Sequence, residues 1–529
     1  MQKFPQIFFG LMCLIGPLSS APRVCAAETI TTEVCVYGAT SGGVIAAVQA
    51  KRMQKTVALA SFNTHVGGMT SGGLGWVDFG KSEAIGGLTA EYFKRIGQHY
   101  GKTGPGYAVE PHVAEEEFNT LLATNNVPIR FNQRLASVTS TDGRISQIVM
   151  EDGTIYRAKM FIDASYEGDL MAKAGVSFAL GRESVAQYDE SFAGVRSEPW
   201  KVPVSPYIVP GKPESGLLPL IGEDAGIANG EADKSLMSCN YRLCLTQDPA
   251  NKIPITAPAG YQESTYELLG RLIDAKVAEG AALQLTTFIK ISRLPNGKTD
   301  INNQFSVSTD FIGESHSYPT ASYAERDAIE QSHRNYIQGL LYYLGTSPHV
   351  PAPIRAQMQT WGFCADEFKD TGGWPHQLYV REARRLIGDY VMLQQNVQGK
   401  RLAPESVGLA SYRVDSHSLN RFVRDGVLMT DGDLHDAYPK PYPISYRSIV
   451  PKKGECQNLF VPFALSASHV AFTSIRMEPV FMILSQSAAT AAAQAIDGNL
   501  AVQDVAYDKL HDRLLADGQI MEWQENTKK

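Results

Sequence analysis

The run Glu33-Val34-Cys35-Val36-Tyr37 stops at Gly38, and Gly38-x-Thr40-x-x-Gly43 follows at once. A helix is expected over residues 42–53, with Val44, Ile45, Ala47 and Val48 apolar, and a second strand over Thr56 to Ala60. A strand, glycine turn, helix and strand packed into about 30 residues make a parallel β-α-β unit of dinucleotide-binding type. The first glycine permits the tight turn, and the last lets helix and strand touch. The helix N-terminus presents free N–H groups to a pyrophosphate. Thr40 stands where a second glycine is usual, so the backbone approaches less closely, although its hydroxyl can bond a phosphate oxygen. The acid expected about 20 residues on, to hold a ribose, is missing. Ser61, Phe62 and Asn63 stand at the strand end instead, and Ser61 offers a neutral bond. A purely structural βα turn is the alternative reading.

The rest of the chain places this unit. A glycine-rich stretch covers 67–75, and a helix is expected from Leu88 to Tyr100. Residues 129–157 alternate apolar and polar, with turns at Asp142-Gly143 and Asp152-Gly153, which predicts a small antiparallel meander. Met160-Phe161-Ile162 then returns as a strand into Asp163-Ala164-Ser165. From about 182 to 445 the βα alternation disappears and prolines cluster between 199 and 218. One helix stands out there over 323–344, with a Ser322/Glu325 capping box and Gly345 as its stop. Alternation resumes near 455, with a strand over Asn458 to Phe463 and a helix over Pro479 to Ile496. The expected fold is α/β: a Rossmann-like dinucleotide-binding domain over 28–181 and 446–529, interrupted by a strand-rich α+β substrate domain over 182–445.

Residues 1–27 read as a signal peptide. Lys3 precedes an apolar run from Ile7 to Ile15, and Cys25-Ala26-Ala27 before Glu28 fits a cleavage site. A short membrane anchor is the alternative, although Pro17 breaks a run already too short to span a bilayer. The mature chain is expected to be exported, periplasmic or extracellular, with no membrane span. A net charge of −7 argues against a nucleic-acid partner. Cys35, Cys239, Cys244, Cys364 and Cys456 remain after the leader. That odd number implies no disulfide framework, and without Cys-x-x-Cys no iron–sulfur cluster is expected.

Several runs are more specific. Val66-Gly67-Gly68-Met69-Thr70-Ser71-Gly72-Gly73 resembles the second Gly-Gly element of the glutathione-reductase-type FAD fold. Phe161 through Asp169 resembles that fold's later Ala-Thr-Gly strand, with Ser165-Tyr166 in place of Thr-Gly. Leu294-Pro295-Asn296-Gly297-Lys298-Thr299-Asp300-Ile301-Asn302-Asn303, Tyr379-Val380-Arg381-Glu382-Ala383-Arg384-Arg385 and Ser466 through Pro479 look like the FAD-dependent oxidoreductase family often met in exported bacterial proteins. The resemblance spans most of residues 33–496 and implies FAD and redox chemistry, without naming a substrate. It places Gly38, Thr40, Gly43, Ser61, Gly67, Gly68, Met69, Asp163, Ala164 and Pro479 around the cofactor. The Asp that contacts the ribityl phosphate in the wider superfamily has no obvious counterpart.

Pro479 suits the first helical position, so its helix points back at a loop running from His469 to Arg476. Arg476 is the candidate cation for the flavin N1/C2 edge; the alternative is a structural pair with Glu478. His469 is the first candidate for general base, since an imidazole can take a proton near neutral pH. His417 beside Asp415 is either an acid–His pair lining the pocket or an ordinary loop group, and Tyr446 is the further catalytic candidate. Asn302, Asn303, Arg381, Tyr446 and Arg447 are expected to face the substrate cleft. No metal is expected, since neither 415/417 nor 376/417 has helical ligand spacing. The leading expectation is hydride transfer from a small polar molecule, such as a sugar or polyol, to FAD; the electron acceptor is left open. A flavin-containing lyase or isomerase and a non-catalytic carbohydrate-binding protein are the alternatives.

Overall fold

In the computed structural model, which describes residues 28–524, strand β1 (Thr29–Tyr37) lies at the centre of the main sheet. The expected signal peptide lies outside the described residues. Alternation along β1 divides the core. Val34 and Val36 enter the large cluster on one face, and Cys35 and Tyr37 enter a smaller cluster on the other. Helix α1 (Ser41–Arg52) follows, capped by Thr40, with Lys51 and Arg52 in its last turn where the helix dipole favours cations. Strand β2 (Val57–Ala60) is wholly buried. Helix α2 (Gly87–His99) matches the sequence expectation, whereas helix α3 (Pro111–Thr124) was not expected.

Strands β3 (Ile129–Arg130), β4 (Leu135–Thr141), β5 (Arg144–Met150) and β6 (Ile155–Asp163) complete this half. The sheet order is β3-β2-β1-β6-β5-β4. The expected meander is confined to β4, β5 and β6; β3 instead adds in parallel to β2. Tyr37 is in register with Ala60 on one side and Asp163 on the other, so three parallel strands end together. That shared carboxyl edge, carrying Gly38, Ser61 and Ala164, is where open α/β sheets bind ligands.

Residues 182–445 hold short two- and three-stranded sheets and helix α4 (Tyr323–Thr346). Ser322 and Glu325 form the expected capping box. Gly345 is no stop. It is buried inside α4, where Met358 and Gln359 lie against it, and the extended Ser347 ends the helix. Strand Ser406–Ala410, paired with Tyr442–Ser445, packs on the C-terminal part of the nucleotide-binding unit.

The sheet is completed from far along the chain. Strand β7 (Leu459–Phe460), shorter than expected, joins β6 in parallel at Phe161 and Ile162. Helix α5 (His469–Ile475) occupies the stretch expected as a loop, because Ser468 accepts the Ala471 N–H and starts a helix too short to show a period. Helix α6 (Glu478–Gly498) has Pro479 in its first turn and packs along α1. It is long and apolar enough to cross a membrane, but 89% of its most apolar stretch is buried, as in a soluble core helix.

Candidate active site

The nucleotide turn is built from close backbone approaches. Gly38 has φ +99°, and a Cβ there would lie 2.8 Å from the Ala164 carbonyl carbon. A Cβ on Gly43 would lie 1.9 Å from the Gly38 oxygen. Thr40 Oγ1 accepts the Gly43 N–H at 3.2 Å and donates to the Ala164 carbonyl at 2.9 Å. The hydroxyl is therefore engaged in tying α1 to β6. The Gly67 N–H donates to Ala39 O at 2.8 Å, which lays the second glycine pair beside the first. Ser61 Oγ donates to Asn63 Oδ1 at 3.0 Å and shapes the turn after β2. Asp163 is buried and accepts from Ser165 N, Ser165 Oγ and Met171 N, so it organises the turn after β6. Burial pushes its carboxyl up to about 6.

Two residues of this crevice were not singled out by the sequence. The Tyr166 hydroxyl accepts the Met69 N–H at 2.8 Å and donates to Glu478 Oε1 at 2.8 Å. Glu478, in the first turn of α6, also accepts from Ser41 Oγ and Thr70 Oγ1. One buried carboxyl thus joins the start of α1, the Gly-Gly turn and the turn after β6, and burial pushes it up to about 7. Nothing in the local pattern marks it, because its partners lie up to 437 residues away.

A separate cavity of about 400 Å³ opens beside Asp78, Arg242, Tyr379, Asp415, His417 and His435. Asn302 and Asn303 line it as expected. His417 Nδ1 lies 2.6 Å from Asp310 Oδ2, which fixes Nδ1 as the donor and leaves Nε2 as the acceptor. That Nε2 lies 3.6 Å from Asp415 Oδ2, beyond hydrogen-bond reach. Burial opposes the charge on Asp310, but Arg381 at 2.9 Å and His417 hold its carboxyl below the usual range. Burial likewise opposes Asp415, yet the nearby His417 imidazole, the His435 ring at 2.8 Å and the charge of Arg476 hold it far below that range. Hydrogen bonds to Asp415 and Asp433 push His435 up to about 9.

Arg476 ends α5, buried, with Nη1 donating to Tyr379 Oη at 2.8 Å and Nη2 to the Asp415 carbonyl at 2.8 Å. Its partners are therefore Tyr379 and Asp415; Glu478 turns the other way, towards Ser41. Other expected site residues lie elsewhere. His469 opens α5, with Nδ1 on Glu382 at 2.9 Å and its backbone N–H on Glu183, and it is not among the cavity's lining residues. Tyr446 is fully buried, donates to Val502 O and does not reach the cavity, contrary to expectation. Its ring is drawn inward by the core below β7. Arg447 is likewise away from the cavity, paired with Glu405. Pro479 shapes the α6 N-terminus, which begins one residue earlier than expected.

Two groups among the described residues bring three possible metal ligands together, His65–Glu115–His376 and Glu110–His112–Glu367. In the first, the imidazoles stack at 4.0 Å and 5°, so their lone pairs run parallel and do not converge. In the second, the Lys298 ammonium already lies 2.8 Å from Glu110 and 2.5 Å from Glu367. All five described cysteines are free thiols. The nearest pair is Cys244 and Cys364, whose sulfurs are 3.7 Å apart across adjoining strands; Cys239 and Cys244, the pair close in sequence, is not brought together in this way.

Parallel strands ending at a glycine turn, with a helix N-terminus behind it and a polar cavity nearby, define a dinucleotide-binding α/β protein. The residues fit FAD at the turn. Gly38 and Gly43 let the backbones of β1, α1 and the turn after β6 meet with no side chain between them, and the Ser41 and Gly42 N–H groups at the start of α1 have no intrahelical partner. The profile of the FAD dependent oxidoreductase family matches residues 33–514, and the chain belongs to that family, whose cofactor is FAD. A search of curated proteins found no match.

Similar solved structures include a thioredoxin reductase of T. acidophilum (22% identity, 25% of this chain and 34% of that one, TM-score 0.17). They also include anhydrotetracycline hydroxylase of Streptomyces rimosus (11% identity, 29% and 36%, TM-score 0.22). A flavoprotein/dehydrogenase of Cytophaga hutchinsonii is a third (13% identity, 32% and 45%, TM-score 0.22). The chain spans less than half the length of each.

Proposed function

We propose that this protein oxidises a small, neutral, hydroxyl-rich molecule such as a sugar or polyol, bound in the 400 Å³ cavity. The observation that carries the reading is the His417–Asp310 pair at 2.6 Å, presented to that cavity. FAD, held at the Gly38–Gly43 turn and the Gly67-Gly68 element, would supply the hydride acceptor. His417 Nε2 takes the proton of the hydroxyl on the substrate carbon, and Asp310 and Asp415 on either side stabilise the imidazolium that results. Asp78, Asp433, Arg242 and Lys290 all line the cavity and offer acceptors and donors in mixed sign, which suits a neutral polyol better than an anion. Arg476 keeps Tyr379 and Asp415 in place and adds positive potential beside the α6 N-terminus. Export, expected from residues 1–27, belongs to the same proposal.

The test is anaerobic flavin bleaching against a panel of sugars, polyols and sugar acids. With the substrate found, His417→Ala should slow flavin reduction by about 10²–10⁴-fold at unchanged flavin content. His469→Ala should leave the rate within a few-fold of wild type. A slow His469 variant beside a fast His417 variant would return the base to α5 and reject this reading. Bleaching by sugar acids alone would reject the neutral-substrate assignment.

A further inference from the structure

The turn after β2 lacks an acid for the cofactor's ribose, yet a buried acid reaches the same crevice from another strand. A cavity at the carboxyl edge of the sheet is lined by Phe62, Asn63, Glu167, Tyr323, Arg326 and His376, among others. Phe62 and Asn63 directly follow Ser61, the position where the acid is missing. Glu167 comes three residues after Ala164, whose carbonyl accepts from Thr40 in the nucleotide turn. Tyr166 between them points towards the Gly-Gly turn, while Glu167 faces the cavity.

Glu167 is 4% exposed, and its carboxyl makes no hydrogen bond to another residue; only its backbone carbonyl is used, by Arg384. The cations nearby are already committed, since Arg326 forks onto Asp169 and Arg384 also donates to Asp169. His376 is in the same condition, with both ring nitrogens shielded from solvent and neither hydrogen-bonded. Two unpartnered buried polar groups in one crevice are a costly arrangement for the protein alone. A ligand that offers adjacent hydroxyls to the carboxyl and a ring edge to the imidazole removes the cost. Nearby, the half-buried Phe62 ring offers a flat face. Phosphate does not suit, because Glu167 repels it and the arginines are paired.

We propose that Glu167 is the ribose-binding acid of this chain, supplied from the turn after β6, and that the adenosine half of FAD lies in this cavity. The proposal rests on FAD as the cofactor. Tyr323 closes the far wall, accepting the Leu135 N–H at 3.0 Å, so α4 from the intervening region forms one side of the nucleotide site.

The experiment strips the full-length protein of flavin and titrates it by calorimetry with ADP and with 2′-deoxy-ADP, following FAD itself by fluorescence. Wild-type apoprotein should bind ADP about tenfold more tightly than the deoxy compound, the loss expected for one hydrogen bond to a charged group. Glu167→Ala should bind both alike and weaken FAD by about tenfold or more, with an unchanged melting profile. Wild-type protein that holds FAD yet binds ADP and 2′-deoxy-ADP equally overturns the ribose assignment and leaves the cofactor intact. So does a Glu167→Ala protein that keeps wild-type discrimination. Apoprotein that binds neither FAD nor ADP overturns the cofactor reading, and this proposal with it.

Discussion

Gly43 has no room for even one more carbon, because a Cβ there would lie 1.9 Å from the Gly38 oxygen. Gly43→Ala must push α1 off β1, at an overpacking cost of about 1–3 kcal/mol. The purified variant should be colourless and melt earlier than wild type. Glu478 works in the opposite sense, by what it accepts. Glu478→Ala strands three buried hydroxyls, those of Ser41, Thr70 and Tyr166, whereas Glu478→Gln keeps an acceptor. Denaturant melts should find the alanine variant less stable by about 1–3 kcal/mol or more and the glutamine variant much closer to wild type. His435 gives a pH signature. Its folded pKa of about 9 lies above the ordinary ~6.5, so its pairing with Asp415 contributes fully below that lower value and is lost as pH rises through the higher one. His435→Asn should therefore lower the melting temperature at about pH 6, and the gap should close by about pH 10. The glycines and Thr40 were legible because a turn and a cap are local. Glu478, Tyr166 and Asp310 were not, because their meaning lies in partners tens to hundreds of residues away.

At the scale of elements, length and periodicity decided what could be read. β1, α1, β2, α2, α4 and α6 carry enough turns or alternation to announce themselves; each falls within two residues of its expected bounds except β1, which starts four residues earlier, at Thr29. α5 has seven residues and β7 two, too few for any period, so the pattern there implies a loop for one and a longer strand for the other. The consequence for the site was direct. A loop before α6 made His469 a free base in the sequence reading, while a helix there fixes it against Glu382 and Glu183. The α5 cap also joins two parts of the molecule, since Ser468 Oγ accepts from Ala471 N and donates to Glu190. Ser468→Ala should cost about 1 kcal/mol for the cap alone, read as a shift in urea midpoint. A larger loss would report the Glu190 contact. Flavin reduction should respond less than in His417→Ala, since α5 carries Arg476, which holds the cavity residues Tyr379 and Asp415, but not the base.

At the scale of the whole molecule, one hydrophobic cluster runs from the β1 face through α6 to α4, so the two expected domains share a core. The free edge of β6 is shared as well. β5 covers its beginning at Ile155 and Tyr156, and β7 covers its end at Phe161 and Ile162. Some 300 residues separate β6 from the strand that finishes it. A chain ended at Cys456 lacks β7, α5 and α6 and should express as colourless, aggregation-prone protein; yellow colour in it would show that the nucleotide half closes by itself. The same layout sets an order of manufacture. As the chain leaves the ribosome, the cradle for the cofactor is made first and its lid last. In between, a strand edge and the apolar side of α1 must wait uncovered for the remainder to arrive. On that expectation colour in this protein certifies length: a copy cut short before α6 should lack the pigment that reports a finished chain.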